Sequence, residues 1–380
     1  AAGRAWLTHQ MDALAGPAVR IDGLGPGLPG RLQVRRIALR DADGAWLTAR
    51  GVHLAWRPWA LFTGRLAVTS ARARRITVHR PPAAATAPAE ADPAPADYPD
   101  PAWLARLGVG HLMVDRLRLR PPILGEEASL TVQGALQARS GDSLARATLV
   151  VARIDGTPGT VAVRAGLERD GSATLDLHAA EPEGGILAKL LNLPGKPPLR
   201  LAVTGQGTPT RFAAGIEGHA PGLLRLDGNA ELRGDGLRLA LTALPEAGTP
   251  AAWRAVTGDA LGLTAEATLA PHPAVRALTV ATDAWTVTGN AALEADERLS
   301  GRFDLDLRRA AALRPLLPPV LDSARATVRL SGTPARPAGG VDARVDGVLH
   351  GLRPDGVPAG LLPDPLPVHA RGRLADGTLH

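Results

Sequence analysis

Leu32-Gln33-Val34, Ile37-Ala38-Leu39, Val52-His53-Leu54-Ala55-Trp56, Leu66-Ala67-Val68 and Ile76-Thr77-Val78 decide how this chain is read. In each run apolar residues stand two apart, with polar or small residues between them. Successive side chains of a strand point to opposite faces, so a period of two means one apolar face and one wetted face. The runs follow the Gly/Pro-rich lead-in Gly23-Leu24-Gly25-Pro26-Gly27-Leu28-Pro29-Gly30 and are parted by turn signals such as Asp41-Ala42-Asp43-Gly44. Ile21 to Pro82 therefore reads as a meander of short antiparallel strands rather than as βαβ units.

Working outward, the same alternation resumes beyond residue 102. It shows at Leu117/Leu119, Leu130/Val132, Leu149/Val151, Val161/Val163, Leu175/Leu177, Leu199/Leu201/Val203, Leu224/Leu226 and Leu237/Leu239/Leu241, then at Leu261/Leu263, Leu278/Val280, Trp285/Val287, Phe303/Leu305/Leu307, Val328/Leu330 and Val341/Val345. Gly-Thr-Pro recurs at Gly156, Gly207, Gly248 and Gly332, each near an expected strand end. Short apolar helices are expected at Gly185 to Leu193 and Arg309 to Leu317, each followed by a Pro-rich turn, a strand and a Gly-Thr-Pro turn. Such a unit cannot bury its own apolar face and stacks on its neighbours, so the chain reads as a degenerate repeat.

Three segments stand apart from the alternation. Ala5, Leu7, Met11 and Leu14 have helical spacing and predict a short amphipathic helix, read first as a plug at one end of the sheet and otherwise as a membrane-proximal segment following an anchor. Pro58 predicts one helical turn over Arg57 to Phe62, dropping Trp59 or Phe62 onto the sheet edge. Pro81 to Pro101 is rich in Pro, Ala and acidic residues and predicts an exposed loop of polyproline character without a functional site. The expected organisation is 1–82, the start of the sheet; 83–101, the loop; and 102–380, the continuing repeat.

Composition agrees with a many-stranded protein. Of 380 residues, 43 are Gly and 34 are Pro, yet 45% are hydrophobic, too many for a disordered chain. Only 3% are aromatic, so Ala, Leu and Val must form whatever core exists. The net charge of +6 suits anionic partners, but 37 acidic residues are interleaved with 43 basic ones. Along Phe303 to Arg308 and Val341 to Asp346 both signs alternate on one face, which reads as ordinary solvated strand surface rather than a basic patch. No window of about 18 uninterrupted apolar residues predicts a membrane span.

Motifs for covalent chemistry do not hold up. The ten His residues include no His-Glu-x-x-His pair, so neither a metal site nor any other cofactor is expected. Gly141-Asp142-Ser143-Leu144-Ala145 lacks the last glycine of a nucleophile elbow. Gly23 to Gly30 runs into a strand, whereas a phosphate-cradling loop must open a helix. Gly195-Lys196-Pro197 lacks the Ser/Thr of a P-loop. Arg72-Ala73-Arg74-Arg75 and Arg116-Leu117-Arg118-Leu119-Arg120 alternate with apolar residues and have few aromatics for stacking, which argues against nucleic acid. No enzyme is expected.

The order Ile21-Asp22-Gly23-Leu24, Leu28-Pro29-Gly30-Arg31-Leu32, Asp43-Gly44-Ala45-Trp46-Leu47 and Leu54-Ala55-Trp56-Arg57-Pro58-Trp59-Ala60-Leu61-Phe62-Thr63-Gly64-Arg65-Leu66 resembles the start of the periplasmic region of the TamB family, one of the AsmA-like bridge-type lipid-transfer families. Leu187 to Leu199 followed by Gly222 to Gly228, and Gly110 to Gly134, resemble the helix-then-strand units further along those proteins. The resemblance implies a periplasmic protein of a Gram-negative bacterium, tethered in the inner membrane by a helix preceding this stretch. It also implies phospholipid acyl chains as cargo and, through a region beyond this stretch, the outer-membrane barrel TamA as partner.

The expected fold is an all-β, elongated, curled sheet with a hydrophobic groove (β-taco-like) and short capping helices. Its lining is expected to be Leu32, Val34, Leu54, Leu66, Val68, Leu117, Leu119, Leu130, Val132, Leu199, Leu201, Val203, Leu224, Leu226, Leu237, Leu239, Leu241, Phe303, Leu305, Leu307, Val328 and Leu330. Acyl chains would slide along this floor, each CH₂ kept from water gaining about 0.8 kcal/mol. The other reading is a scaffold that offers its sheet edge to outer-membrane protein strands by β-augmentation. A carbohydrate-active protein would need paired carboxylates and exposed aromatics that the sequence lacks.

Overall fold

The computed structural model describes residues 19–25, 30–59, 66–82, 107–140, 143–156, 158–191, 193–269, 273–294, 298–313, 322–332, 341–351, 364–375 and 378–379. The expected helix over Ala5 to Leu14 and most of the Pro81 to Pro101 loop lie outside these residues. The chain divides into two units, Ala1–Pro209 and Thr210–His380, and both are all-β.

The first unit holds β1 (Val19–Leu24), β2 (Arg31–Asp41), β3 (Gly44–Trp56), β4 (Leu66–Val78), β5 (Leu107–Leu119), α1 (Pro121–Leu124), β6 (Ala128–Ser140), β7 (Ser143–Arg153), β8 (Thr160–Glu168), β9 (Ala173–Glu181), α2 (Ile186–Leu190) and β10 (Leu199–Thr208). The second holds β11 (Arg211–Ala220), β12 (Leu224–Arg233), β13 (Gly236–Pro245), α3 (Ala251–Thr257), β14 (Leu261–Thr268), β15 (Ala274–Ala281), β16 (Trp285–Leu293), β17 (Leu299–Leu307), a 3₁₀ turn (Ala310–Leu313), β18 (Ser323–Gly332), β19 (Val341–His350), β20 (Leu366–Ala375) and β21 (Thr378–Leu379). Within each unit every strand pairs with its sequence neighbours, giving an open meander. Among the described residues no helix is long and apolar enough to cross a membrane.

One pairing departs from the antiparallel expectation. β4 and β5 run parallel, Leu66 beside Leu107 and Val78 beside Leu119. Hairpin turns cannot make such a pair; a connection of a dozen residues or more can. The stretch containing the Pro-rich segment supplies that length, so its job in the fold is to carry the chain back to the start of β4.

The alternation also changes phase at a fixed level of the first strands, as Leu32/Val34 gives way to Ile37/Leu39. Gly23 and Gly51 lie at this level on either side of Arg35, with φ of 72° and 62°. A Cβ on Gly23 would stand 2.8 Å from that of Arg35, and one on Gly51 3.0 Å from that of Arg74. The left-handed backbone that glycine permits resets which face the next residue addresses. In β5 a register shift between Val114 and Leu117 occurs at the same level.

The helical pieces recur every four strands, after β5, β9, β13 and β17. Alternating strand direction puts α1 and α2 at one end of the first unit's strands, and α3 and the 3₁₀ turn at one end of the second unit's strands. The expected helix over Gly185 to Leu193 is α2, and the one at Arg309 to Leu317 is the shorter 3₁₀ turn. Trp59 is 76% exposed, so it is not laid on the sheet as expected; Phe62 lies outside the described residues.

Burial is concentrated at the helix-bearing end. In the second unit Ala220, Leu223, Thr249, Thr257, Thr282, Ala284, Leu307, Ala310 and Ala324 are buried there. Leu307, Ala310 and Ala324 cluster with Trp285, Leu313 and Leu349, and Trp285 Nε1 donates to the Val256 carbonyl of α3 at 2.8 Å. In the first unit Ala128, Ala179, Ala188 and Leu193 hold the same end, while Val34, Val68, Ala73 and Val114 are buried across β2 to β5. Among the described residues no large side chain is fully buried.

Candidate functional site

Register turns the alternation of each strand into continuous apolar rows. In the first unit, partner by partner from β1 to β10, one row runs Leu24, Val34, Val52, Ala73, Val114, Val132, Val151, Val161, Ala179, Leu201. The row beside it, from β2, runs Leu32, Leu54, Ala71, Leu112, Gly134, Leu149, Val163, Leu177, Val203. Leu112 and Leu149 of this row are each 36% exposed.

The second unit repeats the arrangement from β11 to β20. One row is Ile216, Gly228, Leu241, Leu263, Val280, Val287, Leu305, Ala326, Gly347, Val368, and its neighbour contains Leu239, Leu278, Phe303, Val328 and Val345. Every residue of the first of these rows is only partly buried. A one-residue slip anywhere would send an apolar set to the polar face, so unbroken rows over ten strands show how tightly register is held.

The expected lining residues fall on these faces in two groups, one in each unit. Leu32, Val34, Leu54, Val132, Leu201 and Val203 share the two rows of the first unit. Val68 follows on β4, and Leu66 lies beside Leu107 with its side chain outside the description. Leu117, Leu119 and Leu130 sit toward the helix-bearing end, where Leu130 faces Arg153, and Leu199 faces Glu181. In the second unit Leu239, Leu241, Phe303, Leu305 and Val328 are in the rows above. Leu237 and Leu330 belong to the next row, and Leu224 and Leu226 to the helix-bearing side. Leu307 is 4% exposed and is core beneath the 3₁₀ turn rather than open floor.

Glycines on the floor escaped the sequence reading. A Cβ on Gly228 would collide with Leu241 Cδ2 and the Ala240 carbonyl, and one on Gly289 with Phe303 Cδ1 and, at 2.5 Å, the Arg302 carbonyl. Leu241 and Phe303 therefore lie flat over bare backbone on the neighbouring strand, which keeps the floor low. The signal was a glycine at an apolar position of a strand, in Asp227-Gly228-Asn229 and Thr288-Gly289-Asn290.

Charge is kept off the rows themselves. On the wet face Arg238 meets Glu266 at 3.0 Å and Arg325 meets Asp306 at 3.1 Å. At the helix-bearing end of the first unit Lys189 Nζ of α2 lies 2.5 Å from Glu126 Oε2, and Arg153 bridges Glu126 at 3.2 Å and Asp155 at 2.5 Å. The hydrogen bond from Lys189 holds the Glu126 carboxyl below its ordinary range, outweighing partial burial. His79 is held below its ordinary value by burial and by Arg120, Arg36 and Arg50. The apolar rows present neither donors nor acceptors, so what they can do chemically is shield hydrocarbon from water.

A family model described as YdbH-like, "Intermembrane phospholipid transport protein YdbH", matches residues 1–378. The chain belongs to that family. This confirms a bridge-type, AsmA-like lipid-transfer class, while the narrower resemblance to the TamB family is not confirmed. No curated protein and no solved structure is significantly similar to the chain.

Proposed function

We propose that the chain works in the periplasm as part of a bridge that conducts phospholipid between the inner and outer membranes, with acyl chains on the apolar rows and headgroups at the rim. The reading rests above all on one observation: apolar rows that cross ten strands in the second unit stay partly exposed along their length. A globular protein would cover such a face, because each CH₂ left in water costs about 0.8 kcal/mol. A lipid tail supplies the missing cover. The destination of the lipid, and any hand-over to an outer-membrane barrel such as TamA, belongs to the same proposal. No residue is assigned covalent chemistry.

Photo-crosslinkers test it. Placed at Leu201, Val203, Leu239 or Leu305 they should capture phospholipid, and placed at Arg200, Thr204, Arg238 or Asp306 they should not. Equal labelling of the two sets removes the groove. Native mass spectrometry of the purified protein should show phospholipid retained; a lipid-free protein whose proline-broken sheet edge instead blocks assembly of outer-membrane barrels would favour a β-augmentation scaffold.

A further inference from the structure

The face opposite the apolar rows carries a feature that along-strand alternation conceals. Arg302 of β17 stands directly opposite Arg329 of β18, Arg329 opposite Arg344 of β19, and Arg344 opposite Arg371 of β20. Like charges directly opposed across strands destabilise a sheet. Elsewhere on this face the second unit has pairs of opposite sign, such as Arg238 with Glu266 and Arg325 with Asp306, and like-charged partners occur as single pairs, Arg211 opposite Arg233 and Glu217 opposite Asp227, rather than as a row. In the first unit the like-charged run Arg36, Arg50, Arg75 ends on Asp22.

Neighbouring acids answer only half of the arginine row. Asp304 lies 3.5 Å from Arg302, and Asp346 lies 2.6 Å from Arg329 while also meeting His369 at 2.9 Å. The side chains of Arg344 and Arg371 make neither an ion pair nor a hydrogen bond among the described residues. The row lines a depression of about 860 Å³, whose wall also offers Asn290, Ser300 and Ser331 and includes one carboxylate, Asp342. With strands about 4.8 Å apart, four arginines extend over about 14 Å, more than a single phosphate can span.

We propose that this depression binds a lipid headgroup carrying two or more phosphates, presented at a bilayer surface. The planar guanidinium matches phosphate oxygens bidentately, and the amide and hydroxyls suit the ester oxygens and hydroxyls between phosphates. No aromatic residue lines the depression, so it lacks the stacking platform that single-stranded nucleic acid requires. A family that works between membranes meets such headgroups at either end of its path. Its arginines, serines and Asn290 have the parity of the wet face, and the remaining lining, Gly301, Leu330, Ala343 and Gly372, is the row that alternates with them, so the site orients or docks the sheet through the charged face and does not hold the cargo's tails. It therefore stands or falls independently of the groove.

The test is co-sedimentation of the whole protein with phosphatidylcholine vesicles, with and without 10 mol% cardiolipin, a lipid with two phosphates. The intact chain should prefer the cardiolipin vesicles. Arg344→Gln with Arg371→Gln should lower that binding by about tenfold or more, since each arginine near an anionic surface contributes appreciably, whereas the charge-matched control Arg200→Gln with Arg225→Gln should change it much less. A photo-crosslinker at Ser331 in the otherwise unaltered protein should capture cardiolipin, and one at Thr264 on the same face should not. Equal losses in both double variants, no preference for cardiolipin vesicles, or tight binding of soluble inositol hexakisphosphate that the vesicles do not displace would each overturn the proposal.

Discussion

Leu305 and Leu307 sit two residues apart on one face of β17, and aspartate at each separates an open floor from a closed core. Leu307 is 4% exposed against Ala310 and Ala324. Aspartate there forfeits nearly all the side chain's burial, leaves a cavity, and forces a carboxylate out of water, a cost of about 4 kcal/mol or more. That is a large part of the stability of an ordinary domain. Leu305 is only partly buried, between Val287 and Ala326. Aspartate there loses roughly half of a leucine's transfer energy, about 1 kcal/mol, and its carboxylate still reaches water. The expected outcome is that Leu305→Asp melts within a few degrees of the parent protein and retains little phospholipid, whereas Leu307→Asp loses its cooperative transition. Circular dichroism on heating and lipid extraction with quantification read the two effects. If Leu305→Asp unfolds as readily as Leu307→Asp, the rows are covered core and the open-floor argument is wrong.

Other expectations follow from the same geometry. Val203→Asp and Leu239→Arg should stay folded and fail in lipid transfer between vesicles, while Thr204→Asp on the wet face transfers normally; equal transfer by all three would argue against the floor. Gly289→Val forces a side chain into Phe303 and the Arg302 carbonyl, and should cost about 2 kcal/mol in denaturant unfolding, as overpacking does; an unchanged midpoint would show that the ring does not lie flat. Glu126 has its pKa lowered from an ordinary 4.5 by Lys189 and Arg153, so its contribution is present above that pH and lost as the pH falls below it. Glu126→Gln should therefore destabilise by about 1 kcal/mol at pH 7 and by progressively less below pH 4.5; a pH-independent effect would mean that the carboxylate's charge is not what ties α2 to the turn after α1.

Local alternation was enough to specify the all-β fold, because a side chain's direction along a strand depends only on its own backbone and its neighbours'. Leu199/Leu201/Val203 and Phe303/Leu305/Leu307 could thus be given an apolar face without knowing what lies beside them. The short helices near Gly185 and Arg309 were legible for the same reason, from local spacing and the prolines that follow. Everything that depends on the neighbouring strand had to wait for the tertiary structure. Leu305 and Leu307 are equivalent in sequence, and only the 3₁₀ turn folded over the end of the sheet makes one floor and the other core. The parallel pairing of β4 with β5 depends on where a long connection lands, and Gly228 and Gly289 gain meaning only from the Leu241 and Phe303 that lie across them. Val341 to Asp346 shows the division most plainly. Read along the strand its charges alternate and cancel, but hydrogen-bonded register sets Arg344 between Arg329 and Arg371, and register is fixed by contacts distant in sequence.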